Sequence, residues 1–231
     1  MSAFFVTGTD TEVGKTYVSS LLLKMASEQG LRSAGFKPIA SGCQQTAKGL
    51  ENEDALALQK ASSIPLNYSE VNPFSFEPAI APHIAAKQMQ VTLSFEAIYQ
   101  AYLTLKSKQA DLLIVEGAGG WRLPLGDGHF LSEFVQHAQL PVILVVGMKL
   151  GCLNHAKLTE EAITRDGLQL AGWVANHIDP QMHNQADNLA SLHDILDAPC
   201  LGVVPHGSVQ NSIEATTNTL SLDSLSRFQK I

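Results

Sequence analysis

Short apolar runs alternate along the chain with stretches whose apolar side chains recur three and four residues apart. The run AFFVT (3–7) leads through a glycine-containing loop into a segment with Val18, Leu21, Leu22 and Met25 on one helical face. That segment stops at Gly30, where a helix C-terminus is expected, because glycine takes left-handed backbone without steric cost. SAGFKPIA (33–40) reads as a second strand, stopped by Pro38, which has no N–H to give to a ladder. Ser94 is placed to cap a helix carrying Phe95, Ile98, Tyr102 and Leu105 at helical spacing. DLLIVEGAGG (111–120) is a strand that stays apolar until Glu116 and is halted by glycines, and LPVILVVG (140–147) is apolar on both faces. LNHAKLTEEAITRDG (153–167) is helical and ends at Gly167; LQLAGWVANH (168–177) and CLGVVPHG (200–207) supply two further strands.

Strands that lack polar alternation and are separated by helices indicate a parallel sheet covered on both faces. Residues 62–92, with Pro65, Pro73, Pro78 and Pro82, read as irregular and as cover for a loop face, and the last dozen residues are weakly patterned. There is no internal repeat and no low-complexity linker, so residues 1–231 read as a single α/β domain. In such sheets ligands bind beyond the carboxyl ends of the strands. That rule brings 8–16, 37–42, 116–120, 147–154, and 176–177 with 205–207 to one edge.

Composition narrows the function classes. The net charge of −7 argues against a general nucleic-acid binder, which needs a basic footprint. The opening MSAFFVTGTD lacks the basic start and apolar core of a signal peptide, and the longest apolar run, Leu140 to Met148, is too short for a membrane span. Cys43, Cys152 and Cys200 are odd in number and far apart, which argues against a disulfide framework or a cysteine zinc site. The chain reads as cytoplasmic, with no membrane or nucleic-acid partner.

The loop after the first strand carries the chemistry. Gly14-Lys15-Thr16 stands between an apolar strand and an amphipathic helix, the context of a phosphate-binding loop, so the fold reads as a P-loop NTPase-type, mostly parallel sheet with helices on both faces. Backbone N–H groups would cradle phosphates, Lys15 would neutralise the outer ones and the Thr16 hydroxyl would bind magnesium. Five residues, Thr9 to Val13, separate Gly8 from Gly14, one more than the usual loop has. Asp10, Thr11 and Glu12 give it an acidity that suits a cationic substrate or a partner better than phosphate. Glu116, at a strand end, is placed as a magnesium-binding acid. Asp54 is either a second such acid or a helix-favouring acid of a first turn. Lys37, between a strand and Pro38, is either aimed at the ligand edge or solvated. The eight histidines show no close metal spacing.

Taken together, VTGTDTEVGKT, GFKPIASG, NEDALAL, VNPF, VEGAGGW, LPVILVVGMKLGCLNHA and LAGWVANH resemble dethiobiotin synthetase, in order from about residue 4 to 177 and less clearly to VVPHG at 203–207. The five-residue spacing is that family's form of the loop. The resemblance implies closure of a cyclic urea on 7,8-diaminononanoate (7,8-diaminopelargonate) with ATP, magnesium and CO2 or bicarbonate, through a carbamate and a carbamic-phosphoric anhydride. It implies that Glu12, Val13, Gly14, Lys15, Thr16 and Tyr17 wrap the phosphates, with Gly117, Ala118 and Gly119 beside them. Thr16, Asp54 and Glu116 become magnesium ligands, and Lys37 becomes the catalytic lysine beside Lys15. Thr11 and Ser41 contact the diamine, while Asn176, His177, Pro205, His206 and Gly207 hold adenine. The family is homodimeric, and Gly151, Cys152, Leu153 and Asn154 of one subunit receive the substrate carboxylate of the other. The rival readings are a nucleotide-switch ATPase of the partition or cell-division type and an amide-forming ligase of the cobyrinate type. The first would favour a second lysine where this chain has Thr9 and Asp10, and the second a glutamine-hydrolysing domain.

Overall fold

The computed structural model describes residues 2–207 and 220–228. The chain begins with β1 (Ser2–Gly8), α1 (Lys15–Glu28) and β2 (Ser33–Phe36). Short pieces follow: β3 (Ile39–Ser41), β4 (Gln44–Thr46), β5 (Gly49–Glu51), α2 (Glu53–Ala61), α3 (Tyr68–Val71), β6 (Phe74–Phe76) and α4 (Pro82–Gln88). Next come α5 (Phe95–Lys106), β7 (Leu112–Glu116), β8 (Pro124–Gly126), β9 (His129–Phe130), α6 (Leu131–Ala138) and β10 (Val142–Gly147). The chain continues through α7 (Cys152–Arg165), β11 (Leu170–Asn176), α8 (Gln185–Ile195), β12 (Cys200–Val204) and a 3-10 turn at Asp223–Phe228.

Six strands form the central sheet in the order β12-β11-β10-β1-β7-β2, and every pairing in it is parallel. Its two faces are both apolar because alternate residues serve different layers. Phe5, Leu113, Val115 and Val142 pack with residues of α5 and α6, and Leu144, Val146 and Trp173 with residues of α7 and α8. Phe4, Val6, Ile114, Ile143 and Val145 pack with α1 and α2 on the other side. Among the described residues no helix is long and apolar enough to cross a membrane.

Several expected boundaries hold for the expected reasons. Ser94 Oγ accepts from the Ala97 N–H at 3.2 Å, capping α5. Gly30 and Gly167 stand just beyond α1 and α7 with φ of 79° and 74°. The stretch SAGFKPIA, however, is not one strand. It leaves the sheet after Phe36, and Ile39–Ser41 pairs instead with Phe74–Phe76 in a separate parallel ribbon. The break falls at Lys37-Pro38, where the Lys37 N–H bonds the Val71 carbonyl and the Phe74 N–H bonds the Pro38 carbonyl. Residues 62–92 are likewise more ordered than their prolines suggest. They hold α3, β6 and α4, and Pro82 opens α4, where its missing N–H costs nothing. Of the weakly patterned last dozen residues, 229–231 lie outside the described residues, while Leu220 and Leu225 are buried against the α1 side of the sheet.

Candidate active site

The carboxyl ends of β1, β7, β10 and β11 bring the expected segments to one edge. At its centre the loop 9–14 closes onto α1. Gly14 has φ 86° and caps the helix with no side chain, so the first N–H groups of α1 face the edge. A Cβ on Gly14 would collide with the Asn176 side-chain nitrogen, so only glycine fits there. Asn176 Nδ2 donates to the Val13 carbonyl at 2.8 Å, and Val13 itself is fully buried. The end of β11 therefore clamps the loop. Glu12 is exposed with φ 58°, the left-handed region that a non-glycine residue adopts at some cost.

Lys15 is not the exposed loop residue its place in the motif suggests. It is the first residue of α1 and only 7% exposed, and its ammonium donates to the Asp10 carbonyl at 2.9 Å. Burial lowers its pKa to about 8, against the raising influence of Glu116. The acidity of the loop is also partly internal. Asp10 Oδ2 pairs with Lys149 Nζ at 2.9 Å, a contact that, with the Thr11 N–H on the same carboxylate, holds the Asp10 carboxyl below its usual range. Sequence reasoning missed Lys149. The signal was there, since it follows an apolar strand to the ligand edge as Lys37 does.

Lys37, Asp54, Glu116 and Thr16 converge beside the loop. Lys37 Nζ lies 2.6 Å from Glu116 Oε1 and 3.0 Å from Asp54 Oδ2, and the Thr16 hydroxyl donates to Glu116 Oε1 at 2.8 Å. Lys37 is 4% exposed and Glu116 is fully buried. Burial alone would push the Lys37 pKa down, but the charges of Glu116 and Asp54 outweigh it, so the pKa is raised. Asp54 moves the opposite way, because Lys37 and Thr16 offset its own desolvation. Both ambiguous residues, Asp54 and Lys37, thus face the edge. Asp54 also occupies the first turn of α2, which Asn52 caps.

Glu116 Oε2 is buried and has no partner among the described residues. With the Asp54 carboxylate and the Thr16 hydroxyl it forms a set of hard oxygen donors, the kind that fits magnesium bound jointly by protein and phosphate. Among the described residues no group of three or more His, Cys, Asp and Glu gathers, so a metal here needs ligands beyond the two carboxylates.

The outer positions are less closely joined. Gly117 is buried, Ala118 and Gly119 are half-buried, and a Cβ on Gly119 would meet the Thr11 hydroxyl. The Ser41 hydroxyl and His177 Nδ1 are buried without partners among the described residues. The His177 pKa is lowered, first by burial and then by His206. Pro205 and His206 are exposed, Gly207 is half-buried, and Tyr17 lies against the apolar cluster of α1. Gly151 caps α7 with φ 94° and without a side-chain bond, while Cys152 is buried and Asn154 exposed.

Likeness to known proteins agrees with this geometry. The structure of the MinD cell division protein of Aquifex aeolicus matches with a TM-score of 0.54 at 14% identity, over 94% of this chain and 86% of that one. The signal recognition particle receptor FtsY of Elizabethkingia anophelis matches with a TM-score of 0.50, also at 14% identity, over 99% of this chain and 65% of that one. Fold and glycine-lysine loop together define a P-loop nucleotide-binding α/β protein. A family model described as an AAA domain matches residues 2–212. The chain is 55% identical over 205 residues to the ATP-dependent dethiobiotin synthetase BioD of Pseudomonas aeruginosa (strain UCBPP-PA14), covering 89% of this chain and 90% of that protein. To the enzyme of the same name from Cellvibrio japonicus (strain Ueda107) it is 51% identical over 216 residues, 94% of each chain. The chain belongs to the ATP-dependent dethiobiotin synthetase family, a family of ligases.

Proposed function

We propose that the chain converts 7,8-diaminononanoate, CO2 and ATP to dethiobiotin, ADP and phosphate. The observation that carries this reading is the convergence of Lys15, Lys37, Asp54, Glu116 and Thr16 at a phosphate loop, in a chain 55% identical to a protein so named. Thr16, Asp54 and Glu116 would hold magnesium, which when bound supplies neutralisation of the phosphate oxygens.

The chemistry asks mainly for positioning and charge. One substrate amine adds to CO2, forming an N–C bond and losing a proton, to give a carbamate. A carbamate oxygen then attacks the γ-phosphorus, the bond to the bridging oxygen breaks and ADP leaves. The second amine attacks the carbonyl carbon of the resulting carbamic-phosphoric anhydride and loses a proton. The carbon–oxygen bond breaks, phosphate leaves and the ring closes. Lys37, protonated at neutral pH because its pKa is raised, is suited to hold the carbamate and the transferring phosphoryl group. Lys15 would bind the β- and γ-oxygens, a role consistent with an ammonium that now rests on a loop carbonyl. Thr11 and the unpartnered Ser41 hydroxyl would contact the diamine or its carbamate, and Asn176, His177 and residues 205–207 the adenine. The start of α7, which no side chain caps, is suited to a carboxylate, and we assign it to the substrate of a second subunit in a homodimer.

Phosphate release from magnesium-ATP tests the reading. Release is expected to require both diamine and bicarbonate. Equal release in their absence would indicate a nucleotide hydrolase instead.

A further inference from the structure

Lys37 and Asp54 oppose each other at 3.0 Å, yet neither lies within a strand of the central sheet. Lys37 sits in the break between β2 and β3, and Asp54 in the first turn of α2 beyond the β4–β5 hairpin. One buried side chain binds the Lys37 main chain directly and joins the cap of α2 through Tyr68 and Asn52. Asn72, 2% exposed, donates from Nδ2 to the Lys37 carbonyl at 2.6 Å, while the Lys37 N–H bonds the neighbouring Val71 carbonyl at 2.8 Å. Asn72 Oδ1 accepts from the Tyr68 hydroxyl at 2.9 Å and from Ser75 Oγ at 2.7 Å. The Tyr68 oxygen in turn accepts the Asn52 N–H at 2.7 Å. Asn52 caps α2 by accepting from the Asp54 and Ala55 N–H groups, and its Nδ2 donates to the Ser41 carbonyl at 3.3 Å.

We propose that Asn72 and Tyr68 are positioning residues of this site, fixing the main chain of Lys37 against the helix cap that carries Asp54. The inference rests on the assignment of Lys37 and Asp54 to the site. The chemistry of the two side chains suits the task. An amide both donates and accepts in one plane, so Asn72 can hold the Lys37 carbonyl and the Tyr68 hydroxyl together. The phenol, its pKa raised by burial, keeps the proton it donates. A network whose members are all satisfied in this way is rigid, and a lost member leaves a buried group unpaired.

The test uses Tyr68→Phe, which keeps the ring and loses the hydroxyl, and Asn72→Asp, which keeps the shape but turns an acceptor toward the Lys37 carbonyl. Measured are kcat with diamine and bicarbonate, ADP affinity in the presence of EDTA, the gain in ATP affinity on adding magnesium, and the thermal unfolding midpoint. Misplacing reacting groups by about 1 Å costs on the order of a hundredfold in rate, so a kcat loss of about fivefold or more is expected. ADP affinity without magnesium should stay within about threefold and the gain from magnesium should shrink, because the phosphate loop is untouched and Asp54 is not. A smaller kcat loss in folded Tyr68→Phe, or a loss of metal-free ADP affinity matching the loss of kcat, would overturn the proposal. If Asn72→Asp does not fold, Tyr68→Phe decides alone; failure of both to fold also overturns a positioning role separable from the fold. Should the parent chain show no diamine-dependent turnover, the proposed function fails, and the gain in ATP affinity from magnesium alone judges the positioning.

Discussion

Lys15 is desolvated with its ammonium on a carbonyl, whereas Lys37 is desolvated between two carboxylates. The consequences for stability have opposite signs. A lysine lowered to about 8 binds fewer protons folded than unfolded, so it weakens the fold at neutral pH, and that penalty is relieved as pH rises toward the unfolded value of about 10.4. Lys15→Met, which keeps the buried stem, is therefore expected to leave the unfolding midpoint at pH 7 nearly unchanged or higher, while phosphate release falls about a hundredfold or more. Near-normal turnover would remove Lys15 from the mechanism. Lys37 has a raised pKa, so its contribution is present below about pH 10.4 and is lost as pH rises through the folded value. Lys37→Met removes the ammonium paired directly with buried Glu116, and breaking such a pair costs about 3–5 kcal/mol. A denaturant titration at pH 7 should show a loss of that order relative to the parent chain. A variant as stable as the parent would contradict the pairing.

The strands and helices that bury themselves on one another were legible because their burial is written in period: the core strands β1, β7, β10 and β11 are apolar on both faces through their middles, and α1 and α5 carry their faces at helical spacing. The region 37–92 was not, because its elements are only 3 to 9 residues long and are fixed by bonds between distant loops, such as Asn72 to the Lys37 carbonyl. The site followed the same division. Glu116 and Gly14-Lys15-Thr16 announce themselves within single elements, but the pairing of Asp10 with Lys149 crosses 139 residues and has no local signature. Element ends also press on the loop. A Cβ on Gly147, the last residue of β10, would meet Val13 Cγ1 at 2.7 Å and Ile178 Cδ1 at 2.8 Å. Gly147→Ala should therefore destabilise the chain by about 1–3 kcal/mol and raise the KM for ATP more than it lowers kcat. A stable variant with unchanged KM would show that the loop is not seated by β10.

On the scale of the whole molecule, α7 starts at the ligand edge and runs back across one face of the sheet. Lys149 just before it holds Asp10, while Leu150 and Leu158 present their side chains to solvent at 95% and 55% exposure. Apolar exposure before and along a helix whose start we assign to a second subunit's substrate favours the proposed homodimer, and subunit mixing tests it. Lys37→Ala chains combined with chains inactivated at Asn154 form hybrids with one intact site, so about a quarter of parent activity should return after random exchange. No recovery after verified exchange, with both single variants inactive, would contradict a shared site. The central claim is that carbon dioxide enters as a carbamate whose oxygen takes the γ-phosphoryl group. Isotope transfer measures this most directly: with 18O-labelled bicarbonate, diamine and unlabelled ATP, phosphate collected before label exchanges with water should carry one labelled oxygen per dethiobiotin formed. Unlabelled phosphate, with label in the dethiobiotin carbonyl, would contradict the account.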